Sequence, residues 1–357
     1  MTYRTIHINP AQPNTPRSSV LVIYTGGTLG MVYDAKTGQL IPFDFEQVLD
    51  RVPEIHRLDF GITLITLPEI IDSSNMKPAV WIELARLIEK NYQQFDSFVI
   101  LHGTDTMAYT ASALSFMLEG LQKPVILTGA QLPIGVARTD ARENFITALE
   151  LAAARHNGRP ILSEVCIYFN SVLLRGNRAT KQESVQFNAF HSENYPYLAT
   201  AGVSIDYNFP FISPYPPDAT LSIRTALDPN VTILKLFPGI TEHVVYSILA
   251  IPQLRGVVLE TFGAGNAPTD SWFLDALKAA IDRGIVIFNV SQCEGGRVTQ
   301  GRYQTSKLLQ QIGVVSGADI TTEAAITKLM VLLGRETDPT TLRQHLATPL
   351  RGEMTAD

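Results

Sequence analysis

Two threonines in this chain follow apolar runs and stand among glycines. Thr28 closes Leu21-Val22-Ile23-Tyr24-Thr25-Gly26-Gly27-Thr28, with Leu29-Gly30 after it. Thr104 lies in Phe98-Val99-Ile100-Leu101-His102-Gly103-Thr104-Asp105-Thr106-Met107. A threonine hydroxyl is almost wholly protonated at neutral pH, so as a nucleophile it needs a positioned base. The candidates are Tyr33 and Tyr303 for the first threonine, and Lys181 with Asp105 for the second. A lysine serves as a base when burial lowers its pKa, and a carboxylate can orient it. Each residue alone has an ordinary account. Thr28 would close a turn, Asp105 would cap the helix after it, Lys181 would be solvated, and Asp72-Ser73-Ser74-Asn75-Met76 would be a polar turn. Their occurrence in order, at the ends of apolar runs, points to a catalytic pair.

The elements that must position these groups are legible from patterning. Runs at 19–25, 62–67, 97–102, 125–128 and 164–170 are short and apolar, as buried parallel strands are. Helical patterns cover 78–92, 107–121 and 140–156; the last opens on Asp140 with Glu143 three residues on, a capping signal. Glycines after the strands allow tight turns and close approach of backbone N–H groups to a ligand. Carboxyl ends of such strands are where open α/β sheets bind small molecules. Prolines then accumulate at 210, 214, 216, 217 and 229, and the helical rhythm stops. This stretch reads as an inter-domain connection. A second α/β pattern follows, with strands at 231–237, 256–260 and 285–290 and helices at 241–250, 271–283 and 322–333. The expectation is an α/β protein: a larger N-terminal parallel-sheet domain with flanking helices, and a smaller C-terminal α/β domain. The expected divisions are a flexible arm over 1–18, a catalytic domain over 19–210, a linker over 211–230 and a C-terminal domain over 231–357.

Bulk properties narrow the classes. The chain has 357 residues, 45% hydrophobic and 17% charged, long enough for two ordinary domains. A net charge of −6 argues against a nucleic-acid footprint. Two cysteines, Cys166 and Cys293, are too few for a disulfide framework, and Cys166 reads as a buried core thiol. No stretch approaches the roughly 18 apolar residues that span a membrane, and residues 1–19 lack the apolar core of a secretory signal. A cytoplasmic protein with no membrane partner is expected. There is no Gly-Lys pair for a phosphate-binding P-loop, no G-x-G-x-x-G after a strand, and no G-x-S-x-G elbow. Seven histidines are scattered with no two within four residues, which disfavours zinc.

Taken together, these motifs resemble the bacterial-type L-asparaginase family, and within it the cytoplasmic type I branch. The resemblance runs from about residue 20 to the C-terminus. It is carried by Tyr24-Thr25-Gly26-Gly27-Thr28, Ile71-Asp72-Ser73-Ser74-Asn75-Met76, His102-Gly103-Thr104-Asp105-Thr106-Met107 and Leu127-Thr128-Gly129-Ala130-Gln131. Further matches are Arg175-Gly176-Asn177-Arg178, Thr180-Lys181, Gly263-Ala264-Gly265-Asn266-Ala267-Pro268 and Gly317-Ala318-Asp319-Ile320-Thr321-Thr322-Glu323-Ala324. It implies hydrolysis of L-asparagine to L-aspartate and ammonia without a cofactor or metal. Thr28 would be the nucleophile, with Thr104, Asp105 and Lys181 as the second catalytic group. Ser73, Ser74, Asp105, Ala130 and Asn266 would bind the substrate, Asn266 coming from a neighbouring subunit of a homodimer or homotetramer. Backbone N–H groups at Thr104 and in the Gly129-Ala130 turn would stabilise the oxyanion.

The chain departs from the family pattern at two places. Leu40 fills the position where many relatives place the activating tyrosine, and leucine can move no proton. Gly301-Arg302-Tyr303 matches a position used by other relatives, so Tyr303 is the expected base, with Tyr33 in reserve. Allosteric type I enzymes hold a second asparagine with an arginine where this chain has Glu260, although Thr180 and Cys293 are retained. An acidic side chain would repel the effector's carboxylate, so little cooperativity is expected. Two other functions fit the motifs: the amidase subunit of a tRNA-dependent amidotransferase, and a catalytically silent amino-acid-binding protein. Thr28→Ala separates the last from an enzyme, because a binder would keep its affinity.

Overall fold

In the computed structural model, residues 3–8, 18–33, 37, 40–42, 52–301 and 304–355 are described. The chain falls into two units, one formed by residues 1–192 and 196–223, the other by 193–195 and 224–357.

The first unit is built on a nine-stranded sheet of β1 (Arg4–Ile8), β2 (Ser19–Tyr24), β3 (Gly61–Thr66), β4 (Ser97–Leu101), β5 (Val125–Thr128), β6 (Val165–Phe169), β7 (Val172–Arg175), β8 (Ala199–Ala201) and β9 (Ile205–Tyr207), in the order β1-β3-β2-β4-β5-β6-β7-β8-β9. The five strands from β3 to β6 are parallel. They coincide with the β-branched and aliphatic runs of the sequence, and Val20 to Tyr24 and Phe98 to Leu101 are wholly buried. Register matters for the site. Tyr24 lies opposite Thr66 and Leu101, and Leu101 opposite Thr128. The segments beginning at Thr25, His102 and Gly129 therefore leave the sheet side by side at one edge.

Three helices cover this sheet: α1 (Pro78–Asn91), α2 (Met107–Met117) and α3 (Ala141–Ala153). Pro78 opens α1, where its missing N–H costs nothing. All of α2 except Tyr109 is buried, so it has no polar face. It stops at Met117 rather than 121, because Leu118–Glu119 turns extended and pairs antiparallel with Ser222–Ile223.

Three expectations are corrected. Residues 4–8 are no arm: Arg-Thr-Ile-His-Ile alternates as an edge strand should, and pairs antiparallel with β3 from Arg4–Thr66 to Ile8–Ile62. The first part of the stretch 211–230 is not a connection but part of the first unit. Arg175, in a buried ion pair with Glu164 at 2.6 Å, donates to the Phe211 carbonyl and the Ser213 hydroxyl. Gln122 donates to the Pro216 and Pro217 carbonyls, and the chain passes to the second unit at Ile223–Arg224. Finally, Asp140 makes no side-chain cap on α3; its carboxylate points back to the Gln131 and Leu132 amides.

The second unit holds a parallel sheet of β10 (Val231–Lys235), β11 (Gly256–Thr261), β12 (Val286–Ser291) and β13 (Val315–Ser316). Its helices are α4 (Glu242–Leu249), α5 (Ser271–Asp282), α6 (Gln304–Ile312), α7 (Thr322–Leu333) and α8 (Pro339–Ala347). One core packs Leu234, Val257 and Ile287 of the sheet against Val245, Phe273, Leu277 and Leu309 of the helices. On α7, Lys328 is fully buried and paired with the equally buried Glu353 at 2.7 Å.

Candidate active site

The first threonine is placed by two glycines that have no room for a side chain. At Gly26 (φ +132) a Cβ would lie 2.3 Å from the Ile71 carbonyl oxygen, and at Gly27 (φ +90) 2.5 Å from the Gly103 amide nitrogen. Both conformations are ones that glycine adopts readily. Thr25 is tied to β4, its amide and hydroxyl both donating to the Leu101 carbonyl. Thr28 then opens a single 3-10 turn, Thr28–Gly30, and is only partly buried. The turns carrying the two threonines thus pack backbone to backbone.

The second threonine leaves β4 through His102 and Gly103. His102 is buried and bonded at both nitrogens. Trp81 Nε1 donates to Thr110 Oγ1 at 3.0 Å, and Thr110 Oγ1 lies 2.9 Å from His102 Nε2. His102 Nδ1 is 2.7 Å from the Gly103 carbonyl oxygen, which only accepts. Nδ1 therefore carries a proton, and because burial disfavours the imidazolium, Nε2 is left to accept from Thr110. Burial lowers its pKa from 6.5 to about 4.

Lys181 joins the second set. It lies in the short ladder Thr180–Lys181 with Phe190–His191. Its Nζ donates to Thr104 Oγ1 at 2.8 Å and is paired with Asp105 Oδ1 at 2.6 Å. The lysine side chain is 16% exposed and that of Asp105 64%, so the carboxylate stands at the mouth of the site with its charge open to a ligand cation. Thr104 donates onward to Gln131 Oε1 at 3.2 Å, and Gln131 Nε2 donates to the Gln186 carbonyl at 3.0 Å.

Ser73 is buried, and a Cβ on Gly103 would lie 2.5 Å from its hydroxyl oxygen. Thr106 Oγ1 donates to the Ser73 carbonyl at 2.8 Å, fastening this turn to the Thr104 segment. Ser74 is exposed, and its amide and hydroxyl both donate to Asp72, which holds that carboxyl below the usual carboxylate range. Ala130 is 1% exposed. These groups can bind an amino acid by both charges while presenting two hydroxyls and an amine, the equipment of acyl transfer.

Similarity to known proteins agrees with this geometry. A family model described as "Asparaginase, N-terminal" matches residues 19–212, and one described as "Glutaminase/Asparaginase C-terminal domain" matches 230–346. L-asparaginase 1 of Escherichia coli K12 is 42% identical over 344 residues, which is 96% of this chain and 99% of that protein. The chain belongs to the asparaginase family. L-asparaginase I of Vibrio cholerae, at 39% identity, superposes with a TM-score of 0.86 over 95% of this chain and 100% of that one. A glutamyl-tRNA(Gln) amidotransferase component of Methanopyrus kandleri is more distant, 34% identical over 98% of this chain and 76% of that protein.

Ser73, Thr104, Asp105, Ala130 and Lys181 are gathered in the first unit, beside the turn that carries Thr28. Asn266 belongs to the second unit, where it closes a turn with Phe262 by two backbone hydrogen bonds of 2.9 Å. Glu260 is buried there, accepting from Thr322 Oγ1 at 2.7 Å and paired with Lys235 at 3.3 Å. Tyr303 lies outside the described residues, as does the side chain of Tyr33; the Tyr33 backbone pairs with Leu40. Cys166 is a buried thiol whose pKa is pushed up by burial. Among the described residues no group of acidic, histidine or cysteine side chains is suited to hold a metal, and no helix is long and apolar enough to cross a membrane.

The motifs leave Asn144 unmarked, give Asp140 only as a helix cap and include Gln131 only as the end of a matched segment. Asn144 is fully buried on α3, with Nδ2 donating to the Gly129 carbonyl and Oδ1 accepting from the Asn170 amide. The signal was present: an Asn on the buried face of α3, four residues after the Asp that precedes the helix.

Proposed function

We propose that this protein hydrolyses L-asparagine to L-aspartate and ammonia through a threonine ester. The observation that carries the reading is the Thr104–Lys181–Asp105 set, closed by contacts of 2.8 and 2.6 Å beside the glycine turn of Thr28. The substrate's ammonium pairs with the open Asp105 carboxylate, and its α-carboxylate accepts from the Ser73 hydroxyl. The Ser74 segment and Asn266 complete the binding site. Thr28 Oγ attacks the side-chain amide carbon as its proton is relayed through a tyrosine hydroxyl, Tyr303 in this reading, to the nitrogen that leaves. The C–N bond breaks and ammonia leaves with a proton. Water, activated through Thr104 and Lys181, then cleaves the aspartyl ester and regenerates the Thr28 hydroxyl. Thr104 N–H and the Gly129-Ala130 turn support the oxyanion; neither the Thr104 nor the Ala130 amide has another hydrogen-bond partner among the described residues.

No cofactor enters these steps. L-asparagine is the small-molecule partner, and nucleic acid and membrane are not partners. The active form is a homodimer or homotetramer in the cytoplasm, in which Asn266 of a neighbouring copy reaches the site. An amidotransferase-component role is the second reading. The purified chain alone separates the two when ammonia release from L-asparagine is followed, with Thr28→Ala as control. Release that requires Thr28 and no partner enzyme supports the asparaginase reading. No release without a partner enzyme and charged tRNA would replace it.

A further inference from the structure

The turn Gly129–Leu132 hangs from the N-terminal end of α3 by its backbone. Asn144 Nδ2 donates to the Gly129 carbonyl at 3.0 Å and to Asp140 Oδ2 at 3.2 Å. Asp140 accepts from the Gln131 amide at 2.9 Å and from the Leu132 amide at 3.0 Å. The Asn144 acceptor is used as well, by the Asn170 amide at 3.0 Å, so its amide orientation is fully determined. Thr139 adds a bond from its hydroxyl to the Leu132 carbonyl at 2.9 Å.

Between these anchors, Ala130 is almost completely buried, yet neither its N–H nor its C=O has a hydrogen-bond partner among the described residues. Buried backbone groups without partners are rare, and each calls for an explanation. The geometry of a trans peptide supplies one. C=O and N–H point to opposite sides of the peptide. The Gly129–Ala130 peptide is held by its carbonyl through Asn144, so the Ala130 N–H points the other way. The Ala130–Gln131 peptide is held by its N–H through Asp140, so the Ala130 C=O also points away from the anchor. One donor and one acceptor, a residue apart, are thus turned from α3. The next side chain, Gln131, touches Thr104.

We propose that Asn144 and Asp140 are positioning residues that aim this pair at the substrate's side-chain amide. Asn144 directs the Ala130 N–H to the developing oxyanion. Asp140 directs the Ala130 C=O to the NH2 that leaves as ammonia. The proposal rests on the amidohydrolase reading above and adds the division of labour between the two anchors.

The test compares L-asparagine with L-aspartate β-methyl ester, which has the same acyl group but a methoxy group in place of the side-chain NH2. Asn144→Ala is expected to lower kcat by about 10- to 100-fold for both substrates, as for a weakened oxyanion donor. Asp140→Asn, which keeps the side-chain shape, is expected to lower kcat/KM for the amide about tenfold more than for the ester. Affinity for the product L-aspartate, which has no NH2 on that carboxyl, stays within about twofold in Asp140→Asn. Equal losses on amide and ester in Asp140→Asn, or losses that follow only a lowered melting temperature, would overturn the assignment. If Asn144→Ala does not fold, Asp140→Asn carries the test alone. An unmodified chain that turns over neither compound would refute the amidohydrolase reading instead.

Discussion

Thr104 receives a hydrogen bond from Lys181 and gives one to Gln131, so its hydroxyl proton faces the glutamine in this arrangement. For Lys181 to act as a base, the ammonium must first shed a proton and the Thr104 hydroxyl must turn toward it. The Asp105 carboxylate, close to Lys181 and exposed, is the group that the proposed reaction assigns to a substrate ammonium. The residue types at the ends of β2 and β4 were readable because chemistry needs hydroxyl, amine and carboxylate groups in few combinations. The base for Thr28 was less so, since Leu40 removes the usual candidate and a tyrosine far along the chain must be chosen from context. Tyr303→Phe is expected to slow asparagine turnover strongly while leaving the thermal melting curve unchanged. An unaltered rate would remove Tyr303 from the mechanism.

At the scale of elements, β4 and α2 hold the catalytic turn through a neutral histidine. The chain runs from Trp81 through Thr110 and His102 to the Gly103 carbonyl, and burial disfavours a charge on the ring within it. The folded-state pKa of about 4 lies below the usual 6.5. The unfolded chain therefore binds the extra proton first, and the stabilising effect is complete above pH 6.5 and lost as the pH falls toward 4. The loss is about 3 kcal/mol at pH 4. Urea unfolding of wild type and His102→Gln should show this: the stability gap between them narrows by about that amount from pH 7 to pH 4. A gap independent of pH would mean that His102 is not held neutral. The central strands were legible because β3, β2, β4, β5 and β6 are buried on both faces and carry uninterrupted apolar runs. The rim strands β1, β8 and β9 were not, since one face or a short length leaves only a few apolar residues to read. The capping signal at Asp140 misled for a related reason. A carboxylate at a helix start satisfies whichever amides reach it, and here the preceding turn supplies them.

At the scale of the whole molecule, the chain forms two α/β units, and its net charge of −6 argued against a nucleic-acid footprint. The division was visible in the sequence as a change of rhythm near the prolines. Its exact place was not, because Arg175, Glu164 and Gln122 bind residues 211–217 to the first unit through contacts far apart in sequence. In the second unit, the buried Glu260 is engaged by Thr322 and Lys235 rather than standing as an open anion. An effector carboxylate would have to approach this acidic group in place of an arginine. The rate of ammonia release is accordingly expected to rise hyperbolically with L-asparagine, with a Hill coefficient near 1. A clearly sigmoidal curve would contradict the role given to Glu260.

The proposed reaction requires Thr28 to form an ester with the aspartyl group. Acid quenching during steady-state turnover of L-asparagine, followed by mass analysis of the protein and its peptides, tests it most directly. One aspartyl group is expected on the peptide containing Thr28, and none in Thr28→Ala. An aspartyl group on Thr104, or full turnover in Thr28→Ala, would contradict it.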